Sequence, residues 1–128
     1  MQNNPLPLSP HLQVHHWYFT MFLSILHRAT GVALVAGTVL FAWWLLAGAS
    51  GEESFAQFHV FTASWIGQIM LFGWLYSYIF HFLNGVRHLV WDWGHGLDLK
   101  SAQRSGLVVF AGSLLLTAFM WFVIKGVA

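Results

Sequence analysis

The sequence has no cysteine, so it cannot form disulfides, bind iron–sulfur clusters through thiolates or attach a c-type haem covalently. Charge is almost as scarce. Five basic and four acidic residues make up 7% of the 128, where soluble domains carry about 25%. Such a chain lacks the polar surface to stay dissolved, and a net charge of +1 offers no basic field for nucleic acid. Proline is confined to Pro5, Pro7 and Pro10, so the remainder is free of the strongest helix breaker. Met1 to Gln13 contains no Lys or Arg leading into a short apolar stretch, and it reads as an extended polar lead-in, not a signal peptide. No Gly-rich dinucleotide fingerprint occurs, so hydride chemistry has no obvious seat here.

What fills the chain is apolar: 58% hydrophobic residues, gathered into three runs. The 23 uncharged residues between Arg28 and Glu52 suffice for one crossing, in a helix that begins near Met21. A link around Glu52 and Glu53 leads to a second run from about Phe58 to Trp91, about 50 Å long if wholly helical. Gly94-His95-Gly96 ends it, Asp98, Lys100 and Arg104 mark an aqueous link, and Ser105 to Ile124 forms the third run, closed by Lys125. The expected fold is therefore all-α integral membrane: one domain over residues 1–128, with spans at roughly 22–48, 60–91 and 105–125. Within the first span, Ala29, Ala33 and Gly37 make a small-residue stripe suited to helix contact. In the third, Ser113 and Thr117 are the only polar interruptions, which points to a packing role. Three crossings put the termini on opposite sides. Arg28, Arg87, Lys100 and Arg104 share the N-terminal side, so the positive-inside rule places the N-terminus in the cytoplasm, or the matrix of a mitochondrion.

Histidine breaks the pattern of scarcity, with eight copies against nine charged residues. His11, His15 and His16, beside Trp17 and Tyr18, suit the headgroup layer, and His59 also reads as interfacial. His81 differs because it lies inside the second span, where ionisable groups are costly and mark sites. His88 is seven residues on, within about 20° of the same azimuth and about 10.5 Å along the axis. Gly85, between them, leaves room for a flat ligand against the backbone. Depth, that glycine and the absence of thiolates favour haem ligation by His81 over a plain interhelical hydrogen bond. Axial nitrogens on one iron are about 4 Å apart, so His81 and His88 cannot both bind it. The opposite ligand is then His27, a second polypeptide, or absent.

Ser24, His27 and Arg28 occupy positions i, i+3 and i+4 on the first helix, at the depth of Arg87, His88 and Asp92. The Arg28 guanidinium suits a haem propionate or, with the Ser24 hydroxyl, a quinone carbonyl; equally it suits a snorkelling anchor. Ser24 can instead bond back to its own helix. Asp92, four residues after His88, can fix the tautomer of that imidazole or simply end the helix.

Two stretches resemble a known family. Ser24-Ile25-Leu26-His27-Arg28-Ala29-Thr30-Gly31, with Pro7-Leu8-Ser9-Pro10-His11-Leu12 before it, is similar to the opening signature of succinate dehydrogenase cytochrome b subunits, membrane anchors of complex II. His81-Phe82-Leu83-Asn84-Gly85-Val86-Arg87-His88, with Asp92 after it, resembles the second signature of the same family. The resemblance implies that His81 is an axial ligand of haem b and that the opposite ligand comes from a second, small membrane anchor subunit. It implies that Ser24 and Arg28 lie at the ubiquinone site beside the iron–sulfur subunit, and that His27 and Arg28 approach the haem propionates. His88 joins them at the haem propionates or pocket, and Asp92 and Gly85 take supporting places. Succinate would be oxidised elsewhere, on a flavoprotein subunit, and the location implied is the inner (cytoplasmic) membrane of a bacterium in preference to a mitochondrion. His15-His16 departs from the family's usual aromatic–basic pair, which bears on docking to the hydrophilic subunits. A self-contained bis-histidine cytochrome using His27 and His81, a fumarate reductase anchor and a haem-free structural anchor are the alternatives.

Overall fold

Helix is the only regular structure in the computed structural model, which describes residues 18–127. Four helices follow in order: α1 (Phe19–Ser50), α2 (Glu52–Ala63), α3 (Trp65–Asp92) and α4 (Leu99–Val127). The first, third and fourth are each long and apolar enough to cross a membrane. The lead-in prolines and His11, His15, His16 and Trp17 lie outside the described residues.

The second hydrophobic run is not one helix from Phe58, as its uncharged sequence suggests, but two. The break falls at Ser64, whose backbone is extended and whose hydroxyl accepts from the Gly67 amide at 3.2 Å, capping α3. Gly67 is buried hard against the Phe61 carbonyl and Thr62 of the preceding helix, where no Cβ fits. At 12 residues α2 is about 18 Å long, too short to cross. It folds back on the end of α1, where the Trp43 ring meets Phe58 and Phe61 at centroid distances of 5.1 Å. The expected link around Glu52 and Glu53 shrinks to Gly51, at φ 111°, a conformation that favours glycine.

The buried faces of α1 and α3 recur at seven-residue steps, and that of α4 at steps of four and seven. On α1 the buried positions include Leu23, Thr30 and Gly37; on α3, Ser77, Phe80, Asn84 and Arg87; on α4, Ala102, Gly106, Ser113 and Thr117. The expected Ala29–Ala33–Gly37 stripe is buried only at Gly37, because four-residue steps drift off the contact face, and there the Trp74 indole occupies the space a Cβ would need. Ser113 and Thr117 are fully buried, their hydroxyls bonded back to Phe110 O (2.8 Å) and Ser113 O (2.7 Å), as a packing role requires. Large apolar side chains such as Val32, Val35, Val39, Leu115 and Phe122 point outward, as a surface facing lipid or other helices demands.

Arg87 is the one charged side chain buried among the described residues. Only 7% exposed, it bridges α3 and α4: Nε donates to Ser105 Oγ (3.0 Å), one terminal nitrogen to Ala102 O (2.8 Å) and the other to Asn84 Oδ1 (3.2 Å). Its guanidinium carbon also lies 3.9 Å from the Trp91 ring centroid. Three oriented acceptors and an aromatic face take the place of water around the cation.

Candidate functional site

The crossing of α1 and α3 is shaped by a missing side chain. A Cβ on Gly31 would lie 3.2 Å from His81 Cε1, so glycine lets the imidazole rest close to the α1 backbone. His81 Nδ1 thereby comes within 3.1 Å of the His27 carbonyl oxygen. A carbonyl only accepts, so Nδ1 carries the proton and donates. The lone pair is then on Nε2, the tautomer a metal-ligating histidine needs. Thr30 Oγ1 stands beside both groups, 2.9 Å from the same carbonyl and 3.2 Å from His81 Nδ1.

His27 fills the gap between His81 and His88. Its ring stacks on His81 with centroids 3.8 Å apart and an angle of 12°, and on His88 at 5.3 Å and 22°. Three imidazoles in parallel planes do not aim their nitrogens at one point, and among the described residues no three His, Asp or Glu side chains converge on a metal ion. His27 Nδ1 is buried without a protein partner among those residues.

On the outer face of α3, His81, Phe82, Gly85, Val86 and Leu89 line an open groove of about 370 Å³. A Cβ at Gly85 would meet nothing within 4 Å, so this glycine widens the groove, as its spacing from His81 predicts. Ser24 and Arg28 are exposed on α1, where Arg28 Nε reaches the Ser24 carbonyl at 3.5 Å. His88 Nδ1 donates to Asn84 O at 2.7 Å. The backbone carbonyl one turn back therefore sets its tautomer, and among the described residues no bond joins it to Asp92, which ends α3 exposed. The His88 ring thus makes a contact that the regular helix offers at low entropic cost, and Asp92 stands at the helix end, the second of the two readings given for it.

Sequence reasoning passed over Thr30, Gly31 and Asn84. Thr30 and Gly31 lie in the quoted first stretch, but only the crossing with α3 gives them a task. Asn84, 0% exposed, binds Arg87 with its side chain and His88 with its carbonyl, coupling the interhelical bridge to the histidine stack.

Comparison with known proteins is consistent along the chain. Residues 2–120 match the family described as "Succinate dehydrogenase/Fumarate reductase transmembrane subunit". The succinate dehydrogenase cytochrome b556 subunit of Paracoccus denitrificans is 44% identical over 110 residues, 86% of this chain and 85% of that one. The corresponding subunit of Rickettsia felis is 38% identical over 118 residues, 92% of each chain. The mitochondrial cytochrome b560 subunit of Sus scrofa is 36% identical over 113 residues, 85% of this chain and 66% of its own. A match across all three crossings, joined to a bundle with a histidine cluster at one end, places this chain in the succinate dehydrogenase/fumarate reductase transmembrane subunit family.

Proposed function

We propose that the chain is a membrane anchor subunit of succinate:quinone oxidoreductase that binds haem b through His81 and forms part of the ubiquinone reduction site. The observation that carries this reading is the contact of His81 Nδ1 with the His27 carbonyl oxygen. With Nδ1–H given to α1 at 3.1 Å, Nε2 is left as a ligand inside a membrane-crossing helix, beside a groove lined by apolar side chains and Gly85. The site also fits the rest of the group: His27 Nδ1 is an orphaned buried polar atom, and Arg28 supplies exposed donors suited to a propionate. Bound haem would supply one-electron chemistry. The residues of this chain orient it, shield it from water and hold protons at stated atoms.

The stack argues against the self-contained bis-histidine cytochrome. Rings 3.8 Å apart and nearly parallel are in van der Waals contact, with no thickness left for a macrocycle between His27 and His81. Membership of the family supports a partner anchor subunit as the source of the opposite ligand, with iron–sulfur and flavoprotein subunits completing the assembly. Ser24 and Arg28, exposed near the start of α1, are suited to hold a quinone carbonyl by a hydroxyl and a cation. His88 and Asp92 take supporting places. The bacterial relatives support the inner membrane of a bacterium, and the end holding Arg28, Arg87, Lys100 and Arg104 is assigned to the cytoplasm.

The test is optical. In the purified complex, His81→Ala should remove or shift the haem b spectrum, and an unchanged spectrum rejects the assignment. Arg28→Leu should impair quinone reduction more than electron delivery to an artificial acceptor, whereas equal losses count against the pocket.

A further inference from the structure

We propose that Thr30 is a positioning residue for the haem: its hydroxyl oxygen is a second acceptor for the His81 Nδ1–H, and it thereby sets both the plane of the ring and the electron donation of Nε2. The inference rests on the reading of His81 as the haem ligand.

The proton count determines the role of each atom. A hydroxyl has one hydrogen and two lone pairs. Thr30 Oγ1 lies 2.9 Å from the His27 carbonyl, which can only accept, so the single hydroxyl hydrogen goes there. Its lone pairs remain, and His81 Nδ1 is 3.2 Å away. The imidazole N–H is consequently shared between two oxygens, the His27 carbonyl at 3.1 Å and Thr30 Oγ1 at 3.2 Å. Thr30 is 4% exposed, so water cannot readily replace it. β-Branching limits its χ1 to two rotamers in a helix, and the bond back to His27 O selects one of them.

Two acceptors do what one cannot. A single bond to the carbonyl leaves the ring free to rock about it, whereas the second oxygen pins the plane, with Gly31 giving the ring its space on α1. Acceptors on the distal nitrogen also raise the basicity of the ligating one, which stabilises the more oxidised metal. Losing the Thr30 acceptor should therefore raise the haem reduction potential while leaving the carbonyl bond in place.

Thr30→Val keeps the branched shape and removes the acceptor; Thr30→Ser restores it without the methyl. In the purified complex Thr30→Val should raise the haem midpoint potential and shift the ferric electron paramagnetic resonance g values, or lose haem, while Thr30→Ser keeps wild-type content, potential and g values. Wild-type potential and g values in Thr30→Val overturn the inference. So does a Thr30→Ser variant as altered as Thr30→Val, which would make the position one of packing. His81→Ala, measured in parallel, separates the two levels. If it keeps the wild-type haem spectrum, the ligand assignment and the role of Thr30 fall together; if it loses the spectrum while Thr30→Val is unchanged, only the role of Thr30 falls.

Discussion

The bridge between α3 and α4 gives a quantitative forecast. Arg87→Met keeps the length and apolar stem of the side chain but removes bonds to Ser105, Ala102 and Asn84 and the stacking on Trp91. Interhelical hydrogen bonds in membrane proteins contribute about 0.6 kcal/mol on average and up to about 1.7, so the two that join α3 to α4 account for roughly 1–3 kcal/mol. Against that stands relief of the buried cation's desolvation cost, which apolar replacement commonly recovers. The residual loss should come from Asn84. Its Nδ2 already lacks a partner and the residue is 0% exposed, so removing Arg87 strands the Oδ1 as well, at about 1–3 kcal/mol. Arg87→Met should thus destabilise by about 2 kcal/mol. Arg87→Met combined with Asn84→Leu should recover most of it, because both orphaned ends leave together. The assay is reversible unfolding of the detergent-purified protein in a titration with denaturing surfactant, run as a double-mutant cycle. Effects that add within about 0.5 kcal/mol would refute the argument that Asn84 and Arg87 form one network.

Gly37→Ala should weaken the α1–α3 contact by about 1–3 kcal/mol in the same titration, because the Trp74 indole fills the space a Cβ needs; an unchanged midpoint would mean that the indole moves away freely. If His81 ligates haem as proposed, Gly31→Ala should shift the haem absorption while haem content is kept, since the new Cβ, 3.2 Å from His81 Cε1, moves the ring by a few tenths of an ångström. Asp98, ahead of α4, accepts from the Ser101 amide at 3.0 Å, and hydrogen bonds from the Ser101 side chain and amide hold its carboxyl below the ordinary value of 3.8. Because the folded value is the lower one, this cap is complete above about pH 4 and is lost as pH falls through the folded value, so amide exchange at Ser101, corrected for intrinsic rate, should quicken only there.

The three crossings were legible because bilayer thickness acts on composition. Any uncharged stretch of about 20 residues in a charge-poor chain shows itself without reference to its neighbours. The Ser64 break was not legible for the same reason: a serine capping a helix inside an uncharged run changes no hydropathy, and its signal lies in the close approach of Gly67 to Phe61 and Thr62. His81 stood out as an ionisable group at depth, and Gly85 by its spacing from it. Thr30 and Gly31 did not, since a hydroxyl in a helix ordinarily bonds back to its own turn, as Thr30 also does. Its second contact exists only where another helix crosses.

That crossing explains why one end of the bundle can hold polar chemistry in an apolar chain. The seam on α1 that buries Leu23, Thr30 and Gly37 is the same seam that brings the His27 carbonyl to His81, so helix packing and the setting of the imidazole depend on the same contacts. A substitution that loosens α1 against α3 must also loosen the imidazole. α4 touches α1 through Gly106 against Leu23 and Phe19 and through Phe110 against the Phe19 and Phe22 rings, and it is tied to α3 by Arg87. It therefore braces the histidine-bearing pair without contributing a group to it. The α4 face can vary without altering the chemistry of His81, provided that Arg87 and Asn84 remain satisfied together.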